Sequence, residues 1–160
     1  MRRFLKPKIV LPVAVVLVAL LAFVFLYFEP HTAFIDDTVN ETAPTGEVSA
    51  SAQVVGLEHG ASGTVVVITE PDGDRVVRFV DLDASNGPDL KVYLSTNAVD
   101  GAADAFDDEA ISLGELKGNI GSQNYNVPAG VDLADFRSVV IWCDRFDTPF
   151  AAAALPQVSG

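Results

Sequence analysis

The sequence predicts an all-β fold, an antiparallel β-sandwich of about 7–8 strands, preceded by a single transmembrane helix. Three observations carry this. Strand-sized runs rich in Val, Ile, Thr and aromatics recur between Gly, Pro, Asn and Asp turn signals. No alternation of strand and helix patterns runs through the chain, and no internal repeat is visible. One uncharged segment near the start is long enough for a bilayer.

Residues 1–8 form a basic tail carrying Arg2, Arg3, Lys6 and Lys8. Residues 9–28, Ile9 to Phe28, follow without a charge. At helical rise such a segment spans roughly 30 Å, the thickness of a bilayer core. Pro12 falls in its first turn, where a missing N–H costs little. Phe23, Phe25, Tyr27 and Phe28 gather toward the far end, where aromatics favour the interface. Cations before the span and mainly acids after it place the N-terminus in the cytoplasm. The expectation is a single-pass plasma-membrane protein with its main domain extracytoplasmic. The competing reading is a cleaved signal peptide, whose apolar core is shorter, roughly 7–15 residues, and ends in a small-x-small site. Here Phe25-Leu26-Tyr27-Phe28 is bulky, and His31-Thr32-Ala33 has the wrong residue three back from a cut.

Residues 29–51 are rich in acids, Thr, Ala, Pro and Gly and read as an extracytoplasmic stalk. Asn40-Glu41-Thr42 matches a glycosylation acceptor, a pattern common by chance. The texture changes at residue 52, where the β domain begins, extending to residue 160. Gly63 to Thr69 and Arg75 to Asp81 are strands joined through Pro71-Asp72-Gly73-Asp74, a turn in which Pro presets the first corner and Gly accepts positive φ. Asn86-Gly87-Pro88-Asp89 is a second turn. Leu90 to Ser95 follows as a strand with Leu90, Val92 and Leu94 on one face. Val99 to Glu109 is a long acidic loop. Ile111 to Leu113 and Ser122 to Val127 are further strands, and Val131 to Arg137 has room for one helical turn. Pro149 to Leu155 closes the domain, although its alanines favour helix.

Ser138 to Phe146 organises the rest. Val139 to Trp142 are four consecutive strand formers leading into Cys143, the only cysteine. Alternation puts Val139, Ile141 and Cys143 on one face and Val140 and Trp142 on the other. With both faces apolar, this is a central strand. A single cysteine forms no intramolecular disulfide.

Composition narrows the function. The net charge is −12, and from Glu29 onward six bases face 22 acids. Such a surface repels nucleic acid. There is no phosphate-binding glycine loop, Gly-x-Ser-x-Gly elbow, HExxH or CxxC. Cys143 is the candidate redox thiol or cofactor ligand, against the plain alternative of a buried small hydrophobe. Arg145 shares its face if the strand continues, and a nearby cation lowers a thiol pKa. The surrounding excess of acids works the other way. Cofactor ligation and structural burial therefore rank above free-thiol chemistry. His59 is a weak candidate for cofactor binding, with a solvated loop histidine as the ordinary reading. His31 is a linker residue. The acidic residues from Asp100 to Glu109 lack the spacing of a calcium loop, so no metal site is assigned there.

Three stretches, taken together, resemble a known family. They are Asn86-Gly87-Pro88-Asp89-Leu90-Lys91-Val92-Tyr93-Leu94, Leu113-Gly114-Glu115-Leu116-Lys117-Gly118-Asn119-Ile120-Gly121-Ser122-Gln123-Asn124-Tyr125, and Val139-Val140-Ile141-Trp142-Cys143-Asp144-Arg145-Phe146. Their order and spacing are similar to the DM-thirteen domain, a proposed electron-transfer domain, over roughly residues 53–155. The resemblance implies a β-sandwich outside the cytoplasm. It also implies a functional cysteine, Cys143 here, acting as a free thiol or ligating a group such as haem. The expected function is a membrane-anchored domain with an electron-transfer role centred on Cys143, working with a separate protein redox partner. The alternatives are a non-catalytic cell-surface interaction module with Cys143 in its core and a thiol-linked homodimer.

Overall fold

The computed structural model describes residues 7–32, 35–99 and 109–156. Helix α1 (Pro7–Phe28) is long and apolar enough to cross a membrane, and its side chains from Val10 onward are exposed. A helix apolar on every side has no polar face to offer water, which suits a lipid environment.

Nine strands follow: β1 (Thr38–Asn40), β2 (Glu47–Gly56), β3 (Ala61–Thr69), β4 (Arg75–Ala84), β5 (Leu90–Ser95), β6 (Ile111–Glu115), β7 (Ile120–Asn126), β8 (Ser138–Cys143) and β9 (Thr148–Ala154). They form one curled sheet in the order β1-β7-β4-β3-β2-β9-β8-β5-β6. The all-β expectation holds, while the sandwich is only a loose description. Instead of two separate sheets, a single sheet passes from one layer to the other along β2. Glu47 to Gln53 pair with β3, whereas Val54 to Gly56 pair with β9. A ten-residue strand is long enough to serve both partners.

The β3–β4 hairpin forms as its turn chemistry predicts. Gly73 sits at φ 93° and the Asp74 N–H donates to Asp72 Oδ1 at 3.1 Å. The helical turn expected before β8 is a short 3-10 segment, Leu133–Asp135, whose Ala134 N–H donates to the Asp132 side chain. The alanine run at 151–154 is strand. Ala151, Ala152 and Ala153 are buried between β2 and β8, so sheet packing overrides their helix preference.

Every residue of β8 is buried. Its alternation is the predicted one. Val139, Ile141 and Cys143 join the main core with Val77, Phe79, Val92 and Leu94. Val140 and Trp142 face the other way, into a cluster with Ala152 flanked by Leu57, Tyr93 and Val99.

The stalk expected at residues 29–51 needs correction. Thr38–Asn40 pairs in parallel with β7, and Glu47 to Ser51 belong to β2, so the predicted boundary at residue 52 cuts through a strand. Buried Asn119 ties the segment down, accepting from the Asp37 N–H at 2.7 Å and donating to Asp36 at 2.9 Å. Glu41 adds an ion pair with Lys117 at 2.8 Å and accepts the Asn124 N–H at 2.6 Å. Residues 100–108 of the acidic loop lie outside the described residues.

The Glu41 latch implies a pH dependence. The Lys117 hydrogen bond, then the Asn124 N–H, holds the Glu41 carboxyl below its ordinary value against a smaller burial effect. A depressed folded pKa stabilises at pH above the unfolded value and is lost as pH falls through the folded one. The protection factors of the Thr38–Asn40 amides, taken against their intrinsic exchange rates at each pH, are therefore expected to fall below the ordinary carboxylate range. Uniform protection down to strong acid would contradict the latch.

Candidate functional site: the Cys143 corner

Cys143 ends β8, opposite Leu90 on β5 and Thr148 on β9. It is 0% exposed, and its thiol donates to the Pro88 carbonyl at 3.0 Å. The cover is the turn predicted at residues 86–89. Asp89 adopts φ 57°, one of the side chains tolerated in the left-handed region, and its carbonyl accepts the Asp144 N–H at 3.1 Å. Gly87 lies so close to Phe150 that a Cβ there would stand 2.7 Å from the ring. The Gly-Pro-Asp-Leu sequence thus seats a turn directly over the sulfur, with glycine where the ring leaves no room.

Burial pushes the Cys143 thiol up from its ordinary pKa, and the Asp89 charge adds to this. The backbone N–H groups of Phe146 and Arg145, and the Arg145 charge, oppose it without overcoming it. The group is a protonated thiol at neutral pH. Arg145, the cation expected to activate the sulfur, is engaged elsewhere. It pairs with Glu29 at 3.2 Å, donates to the Tyr27 carbonyl, and holds its guanidinium 5.4 Å from the centre of the Tyr27 ring.

His59, the other sequence candidate, reaches the same corner but not the sulfur. It is exposed and stacks on Phe150 at 3.9 Å between centroids. Phe150 in turn packs against Gly87. Beside the turn lies a cleft of about 290 Å³ lined by Glu29, Pro88, Asp89, Glu115, Asn119 and Arg145 among others. Pro88 is thus the wall between the cleft and the thiol.

A haem or metal centre on Cys143 does not fit this arrangement. The sulfur faces a closed apolar core, the cleft is small and polar, and His59 is stacked on a phenyl ring. No group of three or more His, Cys, Asp or Glu among the described residues is placed to hold a metal ion. Added haem is expected to show no Cys143-dependent absorption change, read by comparing the full chain with Cys143→Ala in detergent.

Sequence reasoning missed the network on the outer face of the same strands. Tyr93 on β5 donates to Asp144 at 2.8 Å from Oδ1, and Lys91 pairs with Asp144 and lies 3.6 Å from Asp89. The signal was available. If Leu90, Val92 and Leu94 face the core, Lys91 and Tyr93 must share the opposite face with Trp142.

The corner also meets the end of α1. Phe146, 49% exposed, stacks on Phe28 with centroids 6.0 Å apart. Together with Arg145 it places the β8–β9 turn against the last residues of the apolar helix.

No match was found among curated proteins or among solved structures. A sequence profile described as "Electron transfer DM13" matches residues 53–155, which include the Cys143 turn and the strands that seat it, and the chain belongs to that family.

Proposed function

We propose that this chain is a membrane-anchored, extracytoplasmic electron-transfer domain whose working end is the Cys143 corner. The observation that carries the reading is the thiol held one residue behind the cleft wall, hydrogen-bonded to Pro88. Two further features support it. The family is described by electron transfer. The corner also lies against the end of α1, so a partner in or on the membrane would meet this end of the domain. The N-terminal basic tail orients the span with the domain outside.

In the closed arrangement the thiol is neutral and shielded, which suppresses thiol–disulfide exchange. Reaction at the sulfur requires the 86–89 turn to lift. Alkylation of Cys143 in the folded full chain is therefore expected to be slow and to accelerate sharply on unfolding. Gly87→Ala, which forces the turn and Phe150 apart, should speed it without denaturant. Fast labelling of the native chain with a midpoint well below about 8.5 would instead show an activated thiolate.

The direct test is a redox titration of the full chain in detergent with one-electron mediators. A couple present in the native chain and absent from Cys143→Ala supports the proposal. A second reading, a surface interaction module with Cys143 in its core, draws on the complete burial of the sulfur. It is favoured if the two proteins titrate alike.

A further inference from the structure

We propose that Tyr93 is a one-electron relay site of this domain, with the Asp144 carboxylate as its built-in proton acceptor. The inference rests on the electron-transfer reading above and gives it a second redox group, distinct from the sulfur.

A phenol gives an electron to a strong one-electron oxidant at neutral pH only if its proton has somewhere to go, because the oxidised phenol is a strong acid. Tyr93 is built for that. Its hydroxyl donates to Asp144 at 2.8 Å from Oδ1 and 3.0 Å from Oδ2, and Ser112 is its cross-strand neighbour on β6. The step balances within the site. Tyr93 gives one electron to a metal-centred one-electron oxidant on a partner protein. Its proton moves along the existing hydrogen bond to Asp144, leaving a neutral phenoxyl radical and a neutral carboxylic acid. A one-electron reductant reverses both transfers.

The charges around the pair allow this. Lys91 pairs with Asp144 in the resting state. Once Asp144 is protonated, Lys91 still has the Asp89 carboxylate 3.6 Å away, so no cation is stranded. Burial, and then the bond to Asp144, raise the Tyr93 pKa, so the phenol keeps its proton at neutral pH and electron loss must be coupled to proton loss. The ring packs against the cluster of Val140, Trp142 and Ala152, which restrains it in one orientation. It is also partly exposed, so a partner can approach it as it cannot approach Cys143.

The other tyrosines differ. Tyr125 is buried, donates to the neutral Gln123 side chain at 2.7 Å, and its pKa is pushed up to about 12 by burial. Tyr27 carries the Arg145 guanidinium over its ring, which opposes electron loss.

The test is flash oxidation of the full chain in detergent by photogenerated tris-bipyridine ruthenium(III), with the radical trapped by freezing and read by electron paramagnetic resonance. A tyrosyl signal is expected in the native chain, in Tyr27→Phe, in Tyr125→Phe and in Cys143→Ala. It should be lost in Tyr93→Phe, which keeps the ring and its packing, and weakened in Asp144→Asn. A signal undiminished in Tyr93→Phe, or no tyrosyl signal in the native chain, overturns the proposal. Should Asp144→Asn fail to fold, Tyr93→Phe alone decides. Because the radical is read in Cys143→Ala as well, loss of the Tyr93 signal and loss of the Cys143 couple are separate results, and each idea fails on its own.

Discussion

Trp142→Ala is expected to destabilise the domain by about 3–5 kcal/mol, the range for large aromatic truncations in cores. Trp142 is 6% exposed on a strand whose neighbours on both sides are themselves well buried. Its removal opens a void beneath Leu57, Tyr93 and Val99, and the alanines of β9 are too small to close it. Against a total stability of about 5–15 kcal/mol for a domain, this is a large share. The melting temperature should fall by more than about 10 °C. Thermal unfolding of the full chain in detergent, followed by circular dichroism, measures it. An unchanged melting temperature would remove β8 from the centre of the fold. Cys143→Ala, which deletes one atom from the opposite face of the same strand, should cost much less, so the pair separates packing from chemistry at this motif.

The parts of the fold legible in the sequence are those written in local patterns. Residues 139–143 are apolar without a break, and the strand, its two faces and its central place all follow from that. Leu90 to Ser95 reads the same way, as does the hairpin closed by Pro71-Asp72-Gly73-Asp74. What was not legible depends on distant partners. Thr38–Asn40 carries no strand pattern of its own and is ordered by Asn119 and Glu41, whose partners lie some 80 residues away. Composition alone therefore reads it as a stalk. The Cys143 environment divides similarly. Its burial follows from strand alternation, but the diversion of Arg145 to Glu29 and Tyr27 rests on a contact spanning 118 residues. The turn at 86–89 was recognisable as a turn, yet nothing local shows that it lies over the sulfur.

Gly121→Ala is expected to release β1 from the sheet, the second large effect. Gly121 sits at φ 102°, a conformation that side-chain-bearing residues rarely adopt, and a Cβ there would meet the Val39 carbonyl at 2.1 Å. The obstacle is backbone, so no rotamer change relieves it. Val39 is the register partner of Gly121 in the parallel pairing, so the clash falls at the middle of the β1–β7 ladder. Strain of this kind costs about 1–3 kcal/mol. The cheapest escape is for the three-residue edge strand to leave. That loses its ladder bonds and loosens the hold of Glu41 on Asn124 and Lys117. Gly118 is a matched control of the same kind, since its Cβ would meet the Asp37 carbonyl at 2.5 Å without a positive φ. Both variants should expose residues 37–41 to amide exchange and protease, with the greater loss of melting temperature in Gly121→Ala. The β8 core, on the far layer of the sheet, should keep its protection. If residues 37–41 stay as protected in Gly121→Ala as in the native chain, the segment is not held through this ladder, and the stalk reading regains its place.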